Sequence, residues 1–291
     1  MGIQSIQDTV RLSNGVEMPC VGLGVWKAGG EDVVQAVQWA IQAGYRHVDT
    51  AEKYENEAEV AQGIRRAGID RKQLFITSKL AEHGAENAIA HCEQSLRRLN
   101  TDYLDLYLIH WPMPWLDRYV ETWQGLETLY RQGKVRAIGV SNFAQEHLDT
   151  LLAQCDIAPM VNQFEHHPYY QTPELLDYCR QRGIQFEAYS PLANGAVFED
   201  AALRALAEAY GKSVSQIVLR AMLQDGIVVI PKSIHRERIE QNAQLYDFSL
   251  SEADMRTLYA MDRDEKMATP RPDQTFEEFF RLKREREAQN A

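Results

Sequence analysis

The chain has 291 residues, of which 45% are hydrophobic and 25% are charged, and its formal net charge is −11. This composition is typical of a globular domain, and the acidic balance argues against nucleic acid or an anionic membrane as the main partner. No apolar run reaches the roughly 18 residues of a membrane span, and the first residues have no signal-peptide pattern. We therefore expect one cytoplasmic domain over residues 1–291. The four cysteines lack metal-ligand spacing, so no structural metal is expected.

A β-hairpin is predicted within residues 1–18. Residues 9–12 and 16–18 have strand-forming side chains and flank Ser13, Asn14 and Gly15. An Asn-Gly pair supplies the positive φ values of a type I′ turn. We expect this hairpin to precede the main repeat and to close one of its ends.

Eight short apolar runs then alternate with helical patterns. Most runs are continuous, which is typical of strands covered on both faces. Between them, apolar residues recur every three to four positions, as in Val33, Val37 and Ile41, while Thr172 and Ser251 have the capping oxygens of helix starts. Eight strand–helix units in this length predict an α/β fold of the (β/α)8 TIM-barrel class. The runs cover residues 20–23, 45–48, 74–77, 104–109, 135–140, 160–164, 184–188 and 227–230.

The C-terminal tail, residues 267–291, has a different character. Two prolines, Pro270 and Pro272, exclude regular helix at its start, and residues 277–287 are dense in both charges. We predict a surface loop followed by a solvated helix or a frayed end.

Polar side chains follow three of the predicted strands. Asp49 follows the second run and Tyr54 lies further along the same loop, while Lys79 and His110 follow the third and fourth runs. The carboxyl ends of the strands meet at one rim of a barrel, where its active sites lie. We therefore expect these four residues to converge.

Singly, each of the four is an ordinary turn, surface or packing residue, but together they complement one another. A phenol has a pKa near 10, and the ammonium of Lys79 beside Tyr54 is expected to lower it. Asp49 can hold Lys79 charged, and His110 can orient a carbonyl oxygen. Such a cluster protonates an oxygen while another group attacks its carbon. No Ser or Cys nucleophile with an adjacent base is present in the motifs, so the attacking group is sought in a cofactor.

Seven motifs between residues 22 and 242 resemble those of the aldo-keto reductase superfamily and occur in the family's order. The resemblance implies NADPH-dependent reduction of aldehydes and ketones on a (β/α)8 barrel. It implies a catalytic tetrad of Asp49, Tyr54, Lys79 and His110, with Tyr54 as the acid, and we expect a monomer. The motifs are Gly-Leu-Gly-Val-Trp (22–26), Gly-Tyr-Arg-His-Val-Asp-Thr-Ala (44–51), Ile-Thr-Ser-Lys (76–79), Leu-Ile-His-Trp-Pro (108–112), Gly-Val-Ser-Asn-Phe (139–143), Asn-Gln-Phe-Glu (162–165) and Ile-Pro-Lys-Ser (230–233).

The resemblance also implies the residues that bind NADP(H). Ser141, Asn142 and Gln163 suit a carboxamide, and ordinary strand-end turns are their structural alternative. Tyr189 suits stacking on the nicotinamide, and a core tyrosine is its structural alternative. The first motif lacks the third glycine of a Rossmann fingerprint, so phosphate binding is expected at the basic segment 232–238, which can also be a solvated charged face. Gln241 stands where many relatives have Glu. The expected set is Gly22, Ser141, Asn142, Gln163, Tyr189, Ser190, Leu192, Lys232, Ser233, Arg238, Gln241 and Asn242.

Substrate contacts are expected from Trp26, Tyr54, His110 and Trp111, with Trp115 nearby, and the resemblance adds the C-terminal tail as a substrate loop. The chain is most similar to the bacterial branch, which includes 2,5-diketogluconate and methylglyoxal reductases. Two alternatives stay open: a regulatory nucleotide-binding barrel with little turnover, and an aldolase that uses Lys79 as a Schiff-base amine. Pairing with Asp49 argues against the second, because it keeps Lys79 protonated.

Overall fold

The computed structural model describes residues 3–275, 277–278 and 281, and these form a parallel barrel surrounded by helices. The strands are β1 (Thr9–Arg11), β2 (Glu17–Pro19), β3 (Gly22–Gly24), β4 (His47–Asp49), β5 (Phe75–Leu80), β6 (Leu104–Ile109), β7 (Val135–Ser141), β8 (Val161–Glu165), β9 (Gln185–Tyr189) and β10 (Val228–Val229). The helices are α1 (Gly30–Gln42), α2 (Glu57–Ala67), α3 (Ala85–Leu99), α4 (Tyr119–Arg131), α5 (Gln145–Leu152), α6 (Pro173–Gln181), α7 (Ala201–Tyr210), α8 (Val214–Gln224), α9 (Arg236–Asn242) and α10 (Glu252–Tyr259).

The predicted (β/α)8 barrel is confirmed. Strands β3 to β10 pair in parallel in chain order, and bridges from Val21 to Val229 and from Gly24 to Lys232 close the ring. Strand β6 has its predicted bounds, and the other strands are shifted by a few residues. The largest shift concerns β5, which continues to Leu80, so Lys79 lies inside the strand and not after it.

The N-terminal hairpin is present, but its predicted type I′ turn is wrong. Of the two turn residues, only Gly15 has a positive φ, at +87°. The Leu12 amide donates to the Val16 carbonyl at 2.9 Å, which closes a three-residue loop that ends in a left-handed glycine. The Asn14 side chain donates to the Arg136 carbonyl at 2.9 Å, next to the start of β7. The hairpin therefore covers the amino-terminal end of the barrel, opposite the catalytic rim.

The helices pack their predicted apolar faces on the barrel, and α1 buries Val33, Val37 and Ile41. Ser251 caps α10 as expected, accepting a hydrogen bond from the Asp254 amide at 3.2 Å. The predicted helix start at Thr172 is confirmed, since α6 begins at Pro173, but the predicted capping oxygen is wrong. The Thr172 backbone is left-handed (φ 46°) and its side chain accepts no capping bond. Within the described residues, no helix is both long and apolar enough to cross a membrane.

The C-terminal segment is not the surface loop that its sequence predicts. The Glu165 carboxylate, at the end of β8, accepts hydrogen bonds from the amides of Met267, Ala268 and Thr269 at 2.6, 2.8 and 3.2 Å. These bonds fold the segment inward over the catalytic rim. The charged stretch 277–287 lies outside the described residues, apart from residues 277, 278 and 281.

Candidate active site

The four predicted catalytic residues converge at the carboxyl ends of β4 to β6. Asp49 ends β4, Tyr54 closes the 3₁₀ helix Glu52–Tyr54, Lys79 is the penultimate residue of β5, and His110 follows β6. The Lys79 Nζ lies 2.6 Å from the Asp49 Oδ1 and 3.3 Å from the Tyr54 hydroxyl. The rings of Tyr54 and His110 meet edge to face, with centroids 5.6 Å apart.

Lys79 is fully buried, yet it remains charged. Its ammonium donates to the Asp49 carboxylate, to the Thr50 carbonyl at 2.9 Å and to the Tyr54 hydroxyl. Burial lowers the pKa of Lys79, but the charge of Asp49 and these hydrogen bonds raise it by a larger amount. The net pKa of Lys79 is therefore above its ordinary value. A fixed ammonium therefore lies beside the phenol.

The net pKa of Tyr54 differs from the sequence expectation. Burial raises it above its ordinary value, and the Lys79 ammonium offsets only part of that rise. The phenol is therefore protonated at neutral pH, as a proton donor must be. Burial and the charges of Lys79 and Lys53 hold the pKa of His110 well below its ordinary value, so its imidazole is neutral.

A second buried carboxyl, missed by sequence reasoning, lies behind this cluster. The Gln163 Nε2 donates to the Asp49 Oδ2 at 2.7 Å and to the Glu187 Oε2 at 2.8 Å. Burial, followed by the charge of Asp49, raises the pKa of Glu187 to about 8, so Glu187 is mostly protonated at neutral pH. Glu187 lies on β9 two residues before Tyr189, but nothing in its local sequence places it beside Asp49.

The catalytic cluster opens into a cavity of about 370 Å³. Tyr54 and His110 line it together with the predicted Trp26 and Trp111. It is also lined by Ser141, Asn142, Gln163, Tyr189 and Ser190, which the family resemblance assigns to the cofactor. Met113, which the sequence also suggests for an apolar pocket, lines it as well. The lining residues that sequence reasoning missed are Gly24, Lys53, Ala81, Ile230 and Thr269.

A second cavity, of about 550 Å³, continues from the first. Trp26, Ser190 and Lys232 line both, so the two spaces adjoin. Lys232 and Arg238 are exposed at its basic end, as the basic segment predicted. The other predicted residues that line it are Leu192, Ser233, Gln241 and Asn242.

The C-terminal segment reaches the wall of the first cavity next to Tyr189. The Tyr189 hydroxyl lies 2.6 Å from both the Asn142 Oδ1 and the Thr269 Oγ1. The Lys266 Nζ, almost completely buried, bonds the Glu165 Oε2 at 2.7 Å, the Thr269 Oγ1 at 2.6 Å and the Tyr189 hydroxyl at 3.2 Å. Burial raises the pKa of Glu165. The charge of Lys266 and the hydrogen bonds that Glu165 accepts outweigh this effect and hold the pKa of Glu165 below its usual value. These contacts fix the ring of Tyr189.

The polar groups on the cavity walls fit a nicotinamide carboxamide, which needs one donor and one acceptor. The Gln163 amide nitrogen is already bonded to two carboxyl groups, so its oxygen is the group left to accept. The Ser141 Oγ accepts from the Asn142 Nδ2 at 3.0 Å and donates to no described residue, so its hydrogen is available. Asn142 uses its amide within the protein, because it also donates to the His110 carbonyl at 3.1 Å.

Two residues singled out from the sequence lie away from these cavities. Gly22 lines neither cavity; a Cβ there would lie 2.7 Å from the His47 Nδ1, so close packing within the barrel explains the glycine. Trp115 also lines neither cavity and is 47% exposed in the 3₁₀ helix Pro114–Leu116.

The model of the Aldo/keto reductase family matches residues 20–263. A glyoxal reductase of Bacillus subtilis (strain 168) is 50% identical over 273 residues, which cover 93% of this chain and 98% of that protein. The methylglyoxal reductase DkgA of Escherichia coli (strain K12) is 41% identical over 267 residues, covering 91% and 97%. An NADPH complex of a Gox0644 variant aligns with a TM-score of 0.88 at 36% identity, covering 94% of this chain and 99% of that one.

The chain belongs to the aldo/keto reductase family. It is an oxidoreductase that reduces carbonyl groups with NADPH, as the sequence motifs implied.

Proposed function

We propose that Tyr54 donates the proton in this carbonyl reduction, assisted by Lys79, Asp49 and His110. The observation that carries the proposal is the hydrogen-bonded chain from the Tyr54 hydroxyl through the Lys79 ammonium to the Asp49 carboxylate, at 3.3 and 2.6 Å. Its phenolic end lines the cavity beside the neutral imidazole of His110.

In this mechanism His110 donates a hydrogen bond to the substrate carbonyl oxygen and orients it toward Tyr54. NADPH, held by the residues assigned below, would supply the hydride for the carbonyl carbon. As negative charge develops on the oxygen, the Tyr54 proton moves to it, and the Lys79 ammonium stabilises the resulting phenolate. Asp49 keeps Lys79 protonated and aimed throughout.

The nicotinamide end of the cofactor is assigned to the first cavity. The Ser141 hydroxyl and the Gln163 oxygen bind the carboxamide, Asn142 holds Ser141 and Tyr189 in place, and Tyr189 provides the stacking surface. We assign Gly22 to packing within the barrel and to no contact with the cofactor.

The phosphates and adenine are assigned to the second cavity. Lys232, Ser233 and Arg238 meet the 2′-phosphate, because they form its basic end. Ser190, Leu192, Gln241 and Asn242 complete its walls.

The substrates are proposed to be short aldehydes and α-dicarbonyls, since glyoxal and methylglyoxal reductases are among the relatives. Trp26 and Trp111 give the cavity apolar walls that suit such molecules. We also propose a cytoplasmic monomer with one domain over residues 1–291. The inward packing of both the hairpin and the C-terminal segment supports the single domain.

The test is NADPH oxidation with a panel of aldehydes, α-dicarbonyls, keto-sugars and simple ketones, using the wild type and Tyr54→Phe. The variant should bind NADPH normally and lose about 10²- to 10⁴-fold in turnover, because it lacks the phenolic donor. Near-normal turnover would mean that another group is the acid. NADPH binding by the wild type without turnover on any substrate would favour the regulatory alternative.

A further inference from the structure

Lys53 places a positive charge on the wall of the catalytic cavity, next to Tyr54. It is the middle residue of the 3₁₀ helix Glu52–Tyr54, its side chain is exposed, and it lines the same cavity as Tyr54 and His110. Its ammonium makes no ion pair or hydrogen bond with any described residue. A cation with no partner in the part of the chain that the structure describes is available to a ligand.

The neighbouring carboxylates do not neutralise Lys53. Asp49, the acidic residue on the cavity wall, is paired with Lys79 at 2.6 Å. Glu52 is bonded to the His91 Nδ1 at 2.7 Å, and Glu55 lies outside the cavity wall. The other cation on that wall, Lys232, also lines the second cavity, on the side assigned to the cofactor.

The ammonium of Lys53 is within electrostatic reach of the place where a carbonyl oxygen would bind. Its charge is one of those that lower the pKa of His110, the residue proposed to orient that oxygen. The wall of the same cavity also has two large aromatic side chains, Trp26 and Trp111. A mostly apolar cavity with a free charge near His110 favours a ligand that has a short carbon skeleton and one group of opposite charge.

We propose that Lys53 is a specificity-determining residue that selects carbonyl substrates bearing a carboxylate a few bonds from the carbonyl. The proposal rests on the reductase function proposed above and names the substrate class of the same site. A carboxylate suits Lys53 because its single negative charge matches one ammonium, whereas a phosphate monoester carries nearly two negative charges. The chemistry at Tyr54 is unchanged, so Lys53 acts on binding.

The experiment compares succinic semialdehyde with its methyl ester, which keeps the aldehyde and the flexible chain but has no charge. Both are measured with the wild type, with Lys53→Met, and with Lys72→Met as a control that removes an exposed lysine outside both cavities. Lys53→Met should lower kcat/KM for the acid about tenfold, through KM, and leave the ester unchanged. The preference for the acid should also shrink as salt rises. Lys72→Met should change neither substrate.

Equal losses on acid and ester would overturn the proposal, because Lys53 would then act on Tyr54 or on the loop. No loss on either substrate would overturn it as well. Tryptophan-fluorescence titration of the NADP⁺ complex with the two compounds separates this proposal from the reductase function. Tighter binding of the acid that disappears in Lys53→Met, without turnover by the wild type, would support the site and refute the function. Turnover of both compounds with no preference for the acid would support the reductase function and refute the role of Lys53.

Discussion

At the residue scale, the environment of Lys79 determines which chemistry it can perform. Its side chain is 0% exposed, and its ammonium is bonded to oxygen atoms of Asp49, Thr50 and Tyr54. A Schiff base requires a neutral amine that can reach a carbonyl carbon. Lys79 meets neither condition, which argues against the aldolase alternative. The same contacts suit a fixed charge that stabilises a phenolate.

Arg238 is predicted to determine the preference for NADPH over NADH, because the 2′-phosphate is the only difference between them. It is exposed at the basic end of the second cavity, where a planar guanidinium can offer two donors to a phosphate. Arg238→Ala should weaken NADPH binding about ten- to a hundredfold and leave NADH nearly unchanged. The effect should decrease as salt rises. Dissociation constants for both nucleotides provide the measurement.

The matched control for this experiment is Arg236→Ala. Arg236 is also exposed, but it pairs with Glu240 at 2.7 Å and lies outside the cavity walls. It should therefore change neither dissociation constant. If Arg238→Ala weakened NADPH and NADH equally, Arg238 would hold the shared part of the nucleotide or the loop, and the specificity argument would be wrong.

At the scale of elements, strand ends could be predicted and the long-range contacts of the tail could not. Parallel strands in chain order bring their carboxyl ends together, so Asp49 and His110 could be placed from local patterns alone. No such rule predicts the position of the tail segment. Its position depends on Glu165, about a hundred residues earlier, and nothing in the local sequence of Lys266 or Thr269 indicates that partner.

The Lys266–Glu165 pair is predicted to stabilise the tail against the barrel. Lys266→Met would leave the buried Glu165 without its countercharge, although Glu165 would keep three backbone donors and the Thr269 hydroxyl. We expect a loss of about 3 kcal/mol in the free energy of unfolding, at the low end of the range for a broken buried pair. Urea unfolding measures this loss.

The double variant Glu165→Gln with Lys266→Met is the control, because it removes both charges and should recover part of the loss. A loss below about 1 kcal/mol in the single variant would show that the pair contributes no more than an exposed ion pair.

For the molecule as a whole, the fold class and the site residues could be predicted from the sequence more completely than the electrostatics of the site could. The apolar runs specify eight parallel strands, and the motifs place the polar residues at one rim. The pKa of Tyr54 could not be predicted in the same way. It depends on how deeply the closed barrel buries the phenol, and this burial outweighs the Lys79 charge that sequence reasoning considered. Glu187 was missed for the same reason, since only ring closure brings β9 near β4.

The protonated Glu187 is predicted to make the stability of the whole protein depend on pH. Its pKa is about 8 in the folded state against an ordinary value of 4.5, so between these values the folded protein binds a proton that the unfolded chain has released. Stability therefore falls as pH rises through this window.

Glu187→Gln, which retains an acceptor for Gln163 but cannot ionise, should remove this component of the slope and raise the Tm at pH 8 more than at pH 5, two points that span about that window. The exposed control Glu208→Gln should keep the wild-type slope. Parallel Tm profiles for Glu187→Gln and the wild type would mean that Glu187 is ionised in the folded protein, with its charge compensated by a partner other than Gln163.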